Sequence, residues 1–211
     1  WPKRDDNWKY MGKKDTSTVK REKEYTFDVA VIGGGVAGLC AAGSAARHGA
    51  KTVLVQNRPV LGGNASSEIH VPINGSYHFK NKFGVDRETG IVEEIQLENR
   101  YYNVQNSWEV WDHVMYDYVT RQENLTLMLN TQAMEAVMDG NSIKKAICFQ
   151  MSTESKIIIN ADIFIDCSGD GALSASAGAE YRSGREGKAE FNEKYAPDEP
   201  DGWVMGDLSL I

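Results

Sequence analysis

The stretch Phe27-Asp28-Val29-Ala30-Val31-Ile32-Gly33-Gly34-Gly35-Val36-Ala37-Gly38 decides how this chain is read. An apolar run, Val29 to Ile32, leads directly into Gly33-x-Gly35-x-x-Gly38, and a small-residue, helix-like stretch, Leu39 to His48, comes after it. A strand that delivers a ligand to the start of a helix has this pattern. Gly33 permits a tight turn, Gly35 lets a diphosphate approach the backbone, and Gly38 lets helix and strand pack closely. The helix N-terminus then offers free N–H groups and a partial positive charge. Glycines at this spacing occur in many turns; the strand before and the helix after make this one a dinucleotide site.

On the N-terminal side the first strand is expected to enter at about Tyr25. Residues 1–24 are polar and without period, and read as an extension with a short ordered piece around Trp8 and Tyr10 packing on the domain. The basic cluster Lys13, Lys14, Lys20, Arg21 and Lys23 reads as a solvated arm.

On the C-terminal side Gly49 stops the helix. Val53, Leu54 and Val55, within Lys51 to Gln56, predict a buried second parallel strand. Gln56 stands at its end, where an acidic residue would ordinarily grip ribose hydroxyls; an amide forms a weaker bond there than a carboxylate. Arg58 nearby raises the alternative of a 2′-phosphate, hence NADP. The loop Val60-Leu61-Gly62-Gly63-Asn64-Ala65-Ser66-Ser67-Glu68 brings two glycines and small polar side chains close to the same ligand. Residues 69–90 lack period and contain His70, Tyr77 and His78. A loop of that length is either functional or disordered.

Gly90 to Asn99 reads as a helix, and Ser107 to Glu123 as a better one, capped by Ser107. Trp108, Trp111, Met115, Tyr118 and Val119 recur there at helical spacing and are expected in the core. Leu125 to Asn130 is the expected third strand. Ala133 to Met138, Ile143 to Met151 and Lys156 to Asn160 form three β-like runs, with Asp139-Gly140-Asn141 as a hairpin turn between the first two. Ile163 to Asp166 is expected as a separate strand that ends in Cys167-Ser168-Gly169-Asp170-Gly171, with a small-residue helix, Ala172 to Ala177, after it. This repeats the first motif, and in an open parallel sheet both junctions would lie at the carboxyl edge. Gly178 to Ile211 reads as surface loop.

Composition narrows the function. The chain has 211 residues, 41% hydrophobic and 25% charged, as expected for one or two globular domains. A net charge of −7 argues against general nucleic-acid binding. No apolar run reaches the about 18 residues a membrane span needs. Cys40, Cys148 and Cys167 are odd in number and far apart, which predicts buried free thiols and neither a metal cage nor a dithiol site. The chain starts at Trp1, so an upstream piece, an export signal among the options, is expected to have been removed or left out. A cytoplasmic location is preferred to an exported one.

Four features in this order resemble one architecture: the glycine loop, Gly62-Gly63-Asn64 after the second strand, the inserted meander, and the Cys167–Gly171 turn. The chain resembles the flavoproteins with a glutathione-reductase-like FAD domain. Within them it resembles the FAD-dependent oxidoreductase family, related in pattern to fumarate-reductase and succinate-dehydrogenase flavoproteins. The likeness spans about residues 25–211. It is most specific at Arg58 to Glu68 and at Ala177 to Arg182 with Gly184-Arg185-Glu186. It implies an α/β fold: a Rossmann-like FAD-binding domain with a parallel sheet and a three-stranded β-meander crossover. It also implies that residues 25–177 are the N-terminal portion of that domain and residues 178–211 the start of a following segment or substrate region, so that the chain is the N-terminal part of a longer enzyme.

The cofactor implied is FAD in extended form. Gly33, Gly35 and Gly38 would meet its pyrophosphate, beside the backbone of Val36 and Ala37. Gln56 and Arg58 would lie at the adenosine ribose, and the backbone of Ala133 at the adenine. Gly62, Gly63, Asn64, Ala65 and Ser66 would run along the pyrophosphate, ribityl chain and flavin. Ser168, Gly169 and Asp170 would approach the pyrophosphate. Glu68 and His70 are the nearest candidates for a general acid or base, against the alternative of structural or merely exposed side chains. The expected reaction is FAD-dependent oxidation or reduction of a small organic substrate, with homo-oligomerisation left open. An NADP-dependent reductase and a non-catalytic dinucleotide-binding module are the alternatives.

Overall fold

Val29, Ala30, Val31 and Ile32 are all buried because the strand they belong to, β1 (Arg21–Ile32), runs through the middle of a sheet. The computed structural model describes residues 21–73, 80–81, 84–85, 88–182 and 184–202. β1 starts earlier than the expected Tyr25. Its first residues are exposed and polar, so they carry no apolar signal, yet Arg21 to Thr26 pair residue by residue with Ser155 to Asn160. Trp8, Tyr10, Tyr77 and His78 lie outside the described residues.

β1 is followed by α1 (Val36–Arg47) and β2 (Thr52–Val55). Two short antiparallel strands, β3 (Lys80–Asn81) and β4 (Gly84–Val85), interrupt the stretch expected to be a single loop. α2 (Gly90–Tyr102), α3 (Trp108–Thr120) and β5 (Leu125–Met128) come next. The hairpin of β6 (Thr131–Asp139) and β7 (Ser142–Gln150) turns at Gly140-Asn141. β8 (Ser155–Asp166) and α4 (Ala172–Ser176) complete this part of the chain.

All but β3 and β4 join in one six-stranded sheet of order β5-β2-β1-β8-β7-β6. The pairings from β5 through β8 are parallel, and those joining β7 to β8 and to β6 are antiparallel. The meander is therefore part of the main sheet. Its third strand and the separate strand expected at Ile163 to Asp166 are one element, β8. The polar residues Asn160 and Asp162 break the apolar pattern, but the backbone continues through them and pairs with β1 as far as Ile32↔Asp166.

Alternation along the strands sends side chains to two faces. One face carries Val29, Val31 and Leu54 beneath the helices, packed with Leu39, Met115 and Tyr118. The other carries Ala30, Ile32, Val53 and Val55, packed with Ile157, Ile159 and Leu173. Each large apolar side chain so buried contributes roughly 1.5–3 kcal/mol. On α1 the buried residues Leu39, Ala42, Gly43 and Ala46 are mostly small, which brings the helix close to its neighbours. A Cβ on Gly43 would lie 2.6 Å from the Tyr118 hydroxyl. That hydroxyl is buried without a partner among the described residues, and Arg47 sits over the ring at 5.1 Å. Of the expected core stripe of α3, Trp111, Met115, Tyr118 and Val119 are buried, while Trp108 is only partly so.

The contacts divide the chain into Trp1–Ala177 and Gly178–Ile211. The second unit, expected as loop, holds a short helix, α5 (Lys188–Phe191), ion pairs Arg182–Glu190 and Arg185–Asp201, and a backbone bridge between Arg185 and Asp201. With Gly, Glu and Pro throughout, its sequence gives no period from which that helix could be read. Among the described residues no helix is long and apolar enough to cross a membrane.

Candidate dinucleotide site

At the end of β1 the chain turns left-handed at Gly33, φ 104°, and the Gly33 N–H donates to Val55 O at 2.8 Å. A Cβ here would sit 2.2 Å from Cys167 O, so the residue makes the turn and also admits the backbone that leaves β8. Gly38 sits one helical turn on, where a Cβ would lie 1.8 Å from Gly33 O. Gly35, between them, has nothing within 4 Å of its Cβ position. It caps α1 in extended conformation without a side-chain bond, and no acidic residue stands in the first turn. Leu39 N–H closes the first turn on Gly35 O at 2.9 Å. The N–H groups of half-buried Val36, exposed Ala37 and buried Gly38 precede that bond, so helical geometry gives them no acceptor within α1.

Gly34 is the glycine that lies outside the motif spacing, and it is tightly held. Its N–H donates to Gln56 Oε1 at 2.8 Å, and a Cβ would meet Leu61 Cδ2 at 2.7 Å. Gln56 is 4% exposed, and its Nε2 donates to Val60 O at 3.0 Å. Both ends of the carboxamide thus hold backbone, and the side chain faces inward beneath the turn. A carboxylate would lack the donor for Val60 O, which accounts for an amide at this position.

The loop after β2 lies along the same turn. Gly62 N–H donates to Gly34 O at 2.9 Å, Gly35 and Gly62 form a bridge, and a Cβ on Gly63 would stand 3.3 Å from Gly35 Cα. Ser66 is buried, with its hydroxyl donating to Gly63 O at 2.7 Å. Asn64 is exposed and its O accepts from Val71 N–H at 2.9 Å. Ala65 is buried, and Trp111 Nε1 donates to its O at 2.6 Å.

The second junction meets the first. Cys167 N–H donates to Ile32 O at 2.7 Å, which sets Cys167 and Ser168 against Gly33. Asp166 shapes the turn after β8 by accepting from the N–H of Ser168 at 3.0 Å and of Ser174 at 2.8 Å. Burial raises the Asp166 pKa, but these hydrogen bonds outweigh it and leave the carboxyl below its ordinary value. Ser168 Oγ accepts from Ala172 N–H at 2.9 Å, and Gly169 and Asp170 are exposed at the lip of the turn.

The β5–β6 connection lies against the chain that leaves β2, and so brings Arg58 and the start of β6, which carries Ala133, to the site. Asn130 N–H donates to Arg58 O at 3.2 Å and Thr131 N–H to Gln56 O at 2.8 Å, two residues before Ala133 enters the β6–β7 ladder opposite Cys148. Glu68 and His70 border this gathering through Ser66: Glu68 N–H donates to Ser66 Oγ at 3.2 Å and His70 N–H to Ser66 O at 2.9 Å. Glu68 pairs with Arg58 Nη1 at 3.1 Å, and His70 stacks on Trp108 with ring centroids 4.8 Å apart. No described hydrogen bond joins either to the Gly33–Gly38 turn. All three cysteines are free: Cys148 is buried, while Cys40 and Cys167 are only partly so, less buried than their apolar neighbours predict.

The arrangement is an open, uncapped helix N-terminus bordered by backbone from three junctions. A diphosphate fits it, because the space over Gly35 is empty and the first turn carries no negative charge.

A family described as FAD dependent oxidoreductase matches residues 28–207. Among solved structures, the chain is similar to an L-proline dehydrogenase from P. horikoshii at 20% identity, over 71% of this chain and 24% of that one, TM-score 0.43. It is similar to a geranylgeranyl bacteriochlorophyll reductase-like protein from Thermoplasma acidophilum at 16% identity, over 74% of this chain and 43% of that one, TM-score 0.47. An E. coli quinol fumarate reductase is similar at 11% identity, over 69% of this chain and 33% of that one, TM-score 0.47. The chain spans less than half the length of each of these structures.

Proposed function

The chain belongs to the FAD dependent oxidoreductase family, whose cofactor is FAD, and from that premise we propose that the carboxyl ends of β1, β2 and β8 hold an extended FAD for the oxidation or reduction of a small organic substrate. The observation that carries the reading is the open space over Gly35 at the uncapped start of α1. In this reading the N–H groups of Val36, Ala37 and Gly38 bind the diphosphate, with Gly33 shaping the turn and Ser168, Gly169 and Asp170 flanking it. Gly62, Gly63, Asn64, Ala65 and Ser66 lead from there toward the ribityl chain and flavin. Arg58 lies toward the adenosine, with Ala133 backbone beyond it. Gln56, with both polar ends on backbone, serves that end by holding the turn in place.

When bound, FAD supplies hydride or electron transfer through its own ring. The chain's own residues orient it and manage protons. Glu68 and His70, just past the loop that leads to the flavin, are the nearest candidates for a general acid or base; Glu68 is paired with Arg58, and the Trp108 stack fixes the His70 ring. Asp166 stays ionised and keeps the second junction folded against the first. Residues 25–177 serve as the N-terminal portion of the cofactor domain and residues 178–211 as the start of a following segment.

The test is the visible spectrum of the purified protein, with the released cofactor identified by mass. A flavin spectrum that bleaches anaerobically with a reducing substrate, and FAD in the released fraction, supports the reading. A colourless protein that binds NADP, or a yellow one that no substrate class reduces, overturns it.

A further inference from the structure

Beside the dinucleotide site lies a cleft of about 280 Å³ that shares only Ala65 with the residues of the cofactor reading. It opens between the chain that continues from Ala65 and the ends of α2 and α3. Its walls are unlike those of an apolar core. Gln96, Asn99 and Asn103 occupy positions i, i+3 and i+7 of α2 and so share one helical face. Asn106 continues the row beyond the helix, and Trp108 and Trp111 form the apolar side. Asn103 is fully engaged: it is 4% exposed, donates to Asn99 Oδ1 and Ser107 O, and accepts from Ser107 N–H. It locks the α2–α3 connection. Among the described residues no partner reaches the carboxamides of Gln96 and Asn106, and Asn99 uses only its Oδ1.

We infer that this cleft binds a neutral, polyhydroxylated ring such as a monosaccharide or cyclitol, as the substrate of the adjoining flavin site. That the ring is a substrate rests on the flavin reading; its binding does not. No lining residue carries a formal charge, so an ionic ligand would forfeit its hydration without a counter-charge. Each open carboxamide offers both a donor and an acceptor, the combination a hydroxyl satisfies. Trp108, which carries His70 on one face, and Trp111, 8% exposed, give the cleft an apolar side against which the C–H surface of a ring can lie. The volume falls just below the about 300 Å³ at which drug-sized sites begin, which sets the ligand at one ring. Trp111 also ties the cleft to the cofactor loop, through its bond to Ala65 O.

The experiment is titration of the 211-residue chain with D-glucose, N-acetyl-D-glucosamine and myo-inositol, and in parallel with adenosine, monitored by heat of binding. Saturable binding of at least one polyol is expected. Gln96→Leu should weaken it about tenfold, as loss of one hydrogen bond does. Asn106→Gly should do the same, glycine being chosen because Asn106 has φ 52°. FAD affinity, measured separately, should be unchanged in both variants. Failure of all three polyols to bind overturns the inference, as does binding of adenosine in their place or polyol affinity indifferent to both substitutions. Polyol binding by a chain that does not bind FAD would overturn the flavin reading and leave the cleft standing.

Discussion

The glycines of the turn differ in what a side chain would meet, and that difference separates folding from function. At Gly33 an added Cβ falls on Cys167 O and the backbone is left-handed; at Gly38 it falls on Gly33 O. Gly33→Ala should therefore lower unfolding free energy by roughly 2–4 kcal/mol, and Gly38→Ala by a similar amount, both read from urea denaturation. Burial pushes the Cys148 thiol up to about 12, and raises Cys40 and Cys167 as well. Native protein at pH 8 should thus react with an aromatic disulfide reagent slowly at every cysteine and leave Cys148 unmodified until urea unfolds it. At this scale the three motif glycines were legible from spacing. Gly34 and the inward turn of Gln56 were not, because their partners, Leu61 and Val60, reach them only through folding.

Asp166 shows how an element's end is held. Its carboxylate fastens the turn between β8 and α4, and the folded form keeps its pKa below the unfolded value of about 3.9. A depressed folded pKa means stability that is complete above the unfolded value and lost as pH falls through the folded one. Asp166→Asn should accordingly be less stable than the parent at pH 7, with the gap closing below pH ~4, in paired thermal melts. The cap of α3 is a second case. Ser107 Oγ accepts from Val110 N–H at 3.4 Å, and Ser107→Ala should cost about 1 kcal/mol, less the weakness of so long a bond. Among elements with buried residues, α3 could be read from its period, α1 from its small residues after the glycine turn, and β2 from its apolar run. The polar half of β1 could not, since only pairing with β8 and surface ion pairs such as Glu22–Lys156 hold it. The continuity of β8 through Asn160 was hidden for the same reason: Asn160 bonds to Tyr25 O and Glu24, residues remote in sequence.

Across the whole molecule the sheet order places β1 between β2 and β8, so three strand ends open at one edge. The repeat of strand, glycine turn and helix in the sequence anticipated two of those ends lying together. It did not reveal that their backbones touch, with Cys167 against Gly33, or that the meander strands extend the same sheet. The carboxamide-lined cleft was likewise invisible, because Gln96 and Asn106 became neighbours of Ala65 only when the helices packed. The central claim is that the open space over Gly35 receives the FAD diphosphate. Its most direct measurement is FAD affinity in the parent and in Gly35→Leu, alongside their unfolding curves. The leucine meets no atom within 4 Å of its Cβ position, and φ is an ordinary −64°, so stability should stay within about 1 kcal/mol of the parent. FAD affinity should fall at least about 100-fold, as backbone contact with the diphosphate is blocked. A folded Gly35→Leu protein that binds FAD as tightly as the parent would contradict the account.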